Sequence, residues 1–128
     1  MDFLIQVIVT LLLFTLVDLV WLVRVAPKLY RKYIGHLMGD RVNLVGAGLF
    51  YIVFIVGLVY FVIGPNINDP LMAFVSGAMF GLVTYATYDL TNLATLKAWP
   101  VTITVIDLIW GTFVTAVTSV LVVVVIGG

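Results

Sequence analysis

The chain holds 128 residues with no cysteine, and its six basic and six acidic side chains give a formal net charge of zero. Hydrophobic residues make up 64% and charged residues 9%, whereas a soluble domain is roughly 45–50% apolar and about 25% charged. A soluble domain of this length has too little interior to hide so much apolar surface, so lipid must be the solvent, and without cysteine disulfides, thiol catalysis and thiolate metal sites are excluded.

Four stretches reach the roughly 20 mostly apolar residues needed to cross a hydrocarbon core: 3–23, 44–63, 71–95 and 101–126. The first has no basic n-region and no small-residue cleavage site, so it reads as a retained span rather than a signal peptide. After it, PKLYRKYIGHLMG places Leu29, Tyr30, Tyr33, Ile34 and Leu37 at helical spacing, with Lys28, Arg31 and Lys32 on another side. Pro27 suits a helix start and Gly39 a stop. An amphipathic helix over 27–38 is expected in the headgroup layer, with Lys28, Arg31, Lys32 and His36 meeting anionic lipid headgroups. The bland alternative is a solvated basic loop. Gly64-Pro65 stops the second span. Asp69-Pro70 supplies an N-cap and a first-turn proline for the third. Pro100 is expected to play that first-turn role for the fourth, and Gly127-Gly128 to end it. A β-barrel would need many strands of about 10 residues with alternating polarity, and these runs are too long and too uniformly apolar. The expected fold is therefore all-α, a single membrane domain of four transmembrane helices with one interfacial helix.

Arg24, Lys28, Arg31, Lys32 and Arg41 lie in or beside the first loop, Lys97 in the third, and no cation in the second or at either terminus. The positive-inside rule places the first and third loops in the cytoplasm and both termini outside.

Glu is absent, and three of the six Asp lie within spans: Asp18, Asp89 and Asp107. Each charged carboxylate at the centre of a span costs about 2.5–3.5 kcal/mol on insertion scales. Counted from Arg24, Lys97 and Pro100 at 1.5 Å per residue, the three sit about 9–12 Å deep, at one level near the cytoplasmic side. On the third span Tyr85, Tyr88, Asp89 and Asn92 share an arc of about 100°, extended outward by Gly77 and Gly81, whose small size suits close helix packing. TYATYDLTNLATL thus reads as the polar wall of an interior pocket. Thr15 to Trp21 reads TLVDLVW and Thr104 to Trp110 reads TVIDLIW, with a weaker echo, ATYDLTN, in the third span. The two full copies run in opposite directions. Trp21 falls near the interface; Trp110 falls deeper, where its N–H needs a partner that a neighbouring carboxylate would supply.

Through DLVWL, YRKYIGHLM, GLVTYATYDLTNLATLKAWP and IDLIWGTF, nearly the whole chain resembles the small bacterial membrane proteins grouped as domain-of-unknown-function family 2177. That resemblance implies a four-helix membrane protein, in a bacterial inner membrane given the charge bias, and brings no activity. Asp18, Trp21, Asp89, Asn92, Asp107 and Trp110 occupy the family's recognisable motifs.

Intramembrane ionisable residues mark functional sites by default. Asp18, Trp21, Tyr85, Tyr88, Asp89, Asn92, Asp107 and Trp110 are the expected ligand-binding or proton-handling set, for the binding or proton-coupled transport of a small polar, cationic or amphiphilic ligand. Two other classes stay open: a lipid-modifying enzyme or its accessory subunit, with Asp89 and Asp107 as acid and base, and a structural subunit of a homodimer or larger membrane complex whose acids only bridge helices. Ser76 and Ser119 lie far from His36 and the acids, which excludes a Ser-His-Asp triad on geometry. No transition-metal set, cofactor motif, nucleotide-binding loop or nucleic-acid motif is visible; an Asp-only site for a hard cation is the one metal option.

Overall fold

The computed structural model describes residues 2–38 and 44–127. Gly39 as a helix stop, Arg41 as a loop cation and Gly128 as a terminator lie outside the described residues. Every regular element among those described is helical: α1 (Phe3–Val20), a π turn (Trp21–Val25), α2 (Ala26–Ile34), a 3-10 turn (Gly35–Leu37), α3 (Leu44–Leu58), a second π turn (Val59–Ile63), α4 (Pro70–Thr95) and α5 (Val101–Gly127). Four helical stretches are long and apolar enough to cross a membrane, as expected of an integral membrane bundle.

The helix starts follow from local chemistry. Asp2 caps α1 by accepting from the Leu4 N–H at 3.0 Å. Asp69 caps α4 by accepting from the Met72 N–H at 3.1 Å, with Pro70 in the first turn. Pro100 stands one residue earlier than expected, outside α5, where its carbonyl accepts from the Thr104 N–H. This position asks no N–H of proline either.

The first span and the loop helix form one continuous helical stretch, Phe3–Leu37, joined by the π turn. The cause is Pro27. A proline ring clashes with the carbonyl four residues earlier and removes a donor. Widening the turn, so that the Ala26 N–H bonds the Trp21 carbonyl, accommodates it without breaking the helix. The second π turn repeats the solution: the Gly64 N–H reaches the Val59 carbonyl at 2.8 Å just before Pro65.

The helices pack closely at two places. In the antiparallel pair α4–α5, a Cβ added to Gly81 would overlap the Gly111 carbonyl oxygen, and one added to Gly111 would overlap the Tyr85 ring. Only glycine lets these backbones approach so far. Away from the basic loops, Leu58, Val59, Val62 and Ile63 of the second span join Phe14, Phe54, Ala73, Val114 and Val122 in the apolar core. Toward the basic end α3 is bare: Leu44 is 78% exposed and Val53 70%, and a Cβ on Gly48 would meet nothing.

Gly81→Val is therefore expected to lower thermal stability in detergent by an amount equivalent to about 1–3 kcal/mol, the usual cost of overpacking. Gly48→Val, in open space, is the control and should leave the melting temperature unchanged.

Candidate functional site

Four-residue spacing builds the interior walls. On α1 the buried residues are Gln6, Thr10, Phe14 and Asp18; on α4 they are Ala73, Gly77, Gly81 and Asp89. Such i±4 ridges carry both acids inward with the packing face. Asp107 lies on the buried face of α5 with Thr104 and Gly111. Asp18 and Asp107 are each 6% exposed and Asp89 is 0% exposed.

The two copies of the repeated motif meet and exchange partners. The Trp110 Nε1–H of the α5 copy donates to Asp18 of the α1 copy at 3.2 Å. In the other direction Tyr30 relays the contact: the Trp21 Nε1–H donates to the Tyr30 hydroxyl at 3.3 Å, and that hydroxyl donates to the Asp107 carboxylate. The two indoles stack with centroids 4.5 Å apart and planes 9° apart. Tyr51 of α3 adds a hydrogen bond to Asp18 at 2.8 Å.

Around this network lies a cavity of about 670 Å³ whose wall includes Asp18, Trp21, Tyr30, Tyr51, Asp107 and Trp110. Tyr85 and Tyr88 of α4 complete it, with Thr84 and Thr87. Each carboxylate offers about four acceptor positions, more than these donors fill, and ring faces surround them.

Asp89 and Asn92 do not join this group. Neither lines the cavity. Both Asp89 carboxyl oxygens are buried and have no hydrogen-bond partner among the described residues. The α4–α5 register explains its position: Gly77 meets Ser119, and Tyr85 meets Gly111, so one further turn carries Asp89 to the level of Asp107, inside the helix–helix seam. The third echo of the motif has Asn92 where the other two have Trp, and its acid lacks an indole donor. The polar wall is also thinner than its composition suggests. Thr84, Thr87 and Thr95 donate to carbonyls of their own helix, the usual fate of Thr in an apolar helix.

The loop cations Lys28, Arg31, Lys32 and His36 are exposed, with the Lys32 ammonium 5.3 Å from the Tyr33 ring centroid. Tyr30 and Ile34 instead turn toward α4 and α5, where they border a smaller pocket with Tyr88, Trp99 and Asp107. The apolar face of α2 thus packs in part against the bundle. Trp99 is held by donating to the Thr104 hydroxyl at 3.0 Å. Ser119 donates to the Thr115 carbonyl inside the α4–α5 seam, away from the cavity. Among the described residues no three His, Cys, Asp or Glu are grouped so as to hold a metal ion.

Sequence reasoning missed Tyr30 and Tyr51. Tyr51 carries the one polar side-chain group in α3, and a phenol in such a run wants a partner. Tyr30 was concealed by its place in a regular amphipathic pattern.

A family model described as a predicted membrane protein matches residues 3–124. The chain belongs to that family, DUF2177. The match spans every site residue above, both copies of the repeated motif and the loop helix. Comparison with curated proteins and with solved structures gives no match.

Removal of each acid should separate bonded from orphaned carboxyls. Asp18→Leu leaves the Trp110 and Tyr51 donors unpaired and should cost about 1–3 kcal/mol per stranded group. Asp89→Leu removes a buried group with no partner and should raise the melting temperature, since an apolar replacement relieves its desolvation. Paired thermal melts of the two variants check both signs.

Proposed function

We propose that this membrane protein binds an organic cation, in a pocket set in the inner-leaflet half of the bilayer. The observation that carries the reading is that Asp18 of α1 and Asp107 of α5 line, with Trp and Tyr side chains, one cavity of about 670 Å³. Carboxylates attract a cation at long range. Aromatic faces attract it at contact by cation–π interaction, worth about 2 kcal/mol or more when desolvated. An ammonium with apolar substituents answers both features. The positive-inside bias supports an orientation with the first and third loops in the cytoplasm of a bacterial inner membrane and both termini outside.

A second reading has its own support. Asp18 and Asp107 both accept hydrogen bonds across helices, which is what purely structural acids would do. A lipid-modifying reaction with Asp89 and Asp107 as acid and base has less support, because Asp89 does not line the cavity.

Choline and its neutral isostere 3,3-dimethylbutan-1-ol discriminate between these readings. Titrated against intrinsic Trp emission of the purified protein, choline should bind at least ten-fold more tightly than the alcohol, and Asp18→Asn or Asp107→Asn should remove the difference. Equal or absent binding of the pair would leave the structural reading standing.

The orientation has an independent check in a chain that contains no cysteine. An impermeant maleimide should label Asn68→Cys in intact cells and His36→Cys only after the membrane is opened. The reverse pattern would invert the topology.

A further inference from the structure

The second span has two unlike halves. From Phe54 onward it is packed: Phe54 meets Phe80 and Tyr85 of α4 at ring distances of 5.6 and 6.3 Å, and Leu58, Val59, Val62 and Ile63 are buried. From Leu44 to Val53 every residue but Tyr51 is exposed, and Tyr51 bonds to Asp18. The cavity lies beside this loose half. Ala47 and Phe50 on α3, with Thr87 and Tyr88 on α4, belong to its wall and are also exposed. Tyr30 of α2 stands across the basic end, bonded to Asp107, and the Phe14–Phe54 contact, 5.1 Å between ring centroids, closes the opposite end. The exposed wall residues lie on α3, on α4 and, with Leu22, on the first π turn, so the cavity is open at its flank.

Resting on the cation-binding reading above, we infer that the ligand is a membrane-resident amphiphile with an ammonium headgroup, admitted laterally between α3 and α4 from the leaflet at the basic end. Its charge lies between Asp18 and Asp107, against the stacked indoles. Its tail stays in the gap flanked by Ala47, Phe50 and Tyr88 and continues into the bilayer. Charge complementarity selects this occupant. An anionic lipid tail would fit the gap, but its headgroup would meet two acids. A neutral tail alone would leave their acceptor positions empty.

The route makes a prediction that a water-facing pocket does not. An amphiphile partitions into the bilayer by roughly four-fold more for each added methylene. If the bound tail stays in the bilayer, as a lateral gap allows, this gain carries over into binding, whereas a pocket that holds the whole ligand apart from the lipid must compete with it. The test uses the protein in nanodiscs of zwitterionic lipid and compares tetramethylammonium with decyltrimethylammonium below its micelle-forming concentration, read by Trp emission. The decyl compound should half-saturate at a total concentration at least a hundred-fold lower. Ala47→Trp, at the mouth of the gap, should cut that advantage to less than ten-fold. If tetramethylammonium binds but the decyl compound binds no more tightly, lateral access is overturned and the cation site stands. If the advantage survives Ala47→Trp unchanged, this gap is not the route. If neither compound binds, the site and the route fall together.

Discussion

The hydrogen bond from Trp110 to Asp18, with Trp21 stacked on the same indole, is the contact on which the half of the bundle nearer the basic loops depends. An acid inside a span costs roughly 2.5–3.5 kcal/mol to insert. Two such acids line one cavity from α1 and α5; Asp18 draws its donor from the other copy of the seven-residue motif, and Asp107 is tied to the first copy through Tyr30. Opposed copies of a short sequence with the polar site between them resemble, on a small scale, the inverted repeats of transporters, whose sites also lie at the repeat interface. The correspondence is incomplete: one arm is direct and the other passes through Tyr30. Tyr30 reaches Asp107 because the helix continues past Trp21 rather than ending there.

That continuation depends on how the chain treats proline. Both π turns begin six residues before a proline, Trp21 before Pro27 and Val59 before Pro65. The first absorbs the missing donor without stopping the helix, whereas the helix ends with the second, at Ile63. One places an aromatic residue in the site, and the other builds the apolar plug that holds the second span. π turns recur at functional positions in helices for this reason: they re-aim side chains at small cost in backbone hydrogen bonding.

Much of this was legible in the sequence, and the remainder failed for identifiable reasons. The spans and their caps could be read because length, hydropathy and the Asp-Pro pair are local properties. The need of Trp110 for a carboxylate could be read because an indole N–H inside an apolar span wants a partner. Asp89 was misplaced as a pocket residue, since depth and helical face are shared with the pocket while the α4–α5 seam that encloses it depends on glycine contacts with a distant helix. Asn92 went with it. Tyr30 and Tyr51 were invisible because their importance lies in what they reach, and reach is tertiary. Gly64-Pro65 ends the second span as expected, whereas the π turn before Pro27 carries the helix on where a break was expected, since proline signals a break more often than a bulge.

Sequence separation in the central contact has a consequence for how the molecule is made. Trp110 and Asp18 stand 92 residues apart, and Tyr30 and Asp107 stand 77 apart, whereas α4 and α5 are joined by a short link and meet as a hairpin. During synthesis the first span emerges with its acid, yet the indole that will partner it belongs to the last helix translated. Until then Asp18 depends on Tyr51, on water or on the insertion machinery for solvation. A chain cut short before α5 would keep one acid half-satisfied and expose the face of α4 that holds the other. Such a fragment would carry its own mark of incompleteness into the bilayer, in a form that membrane proteases sensitive to stranded charge could read.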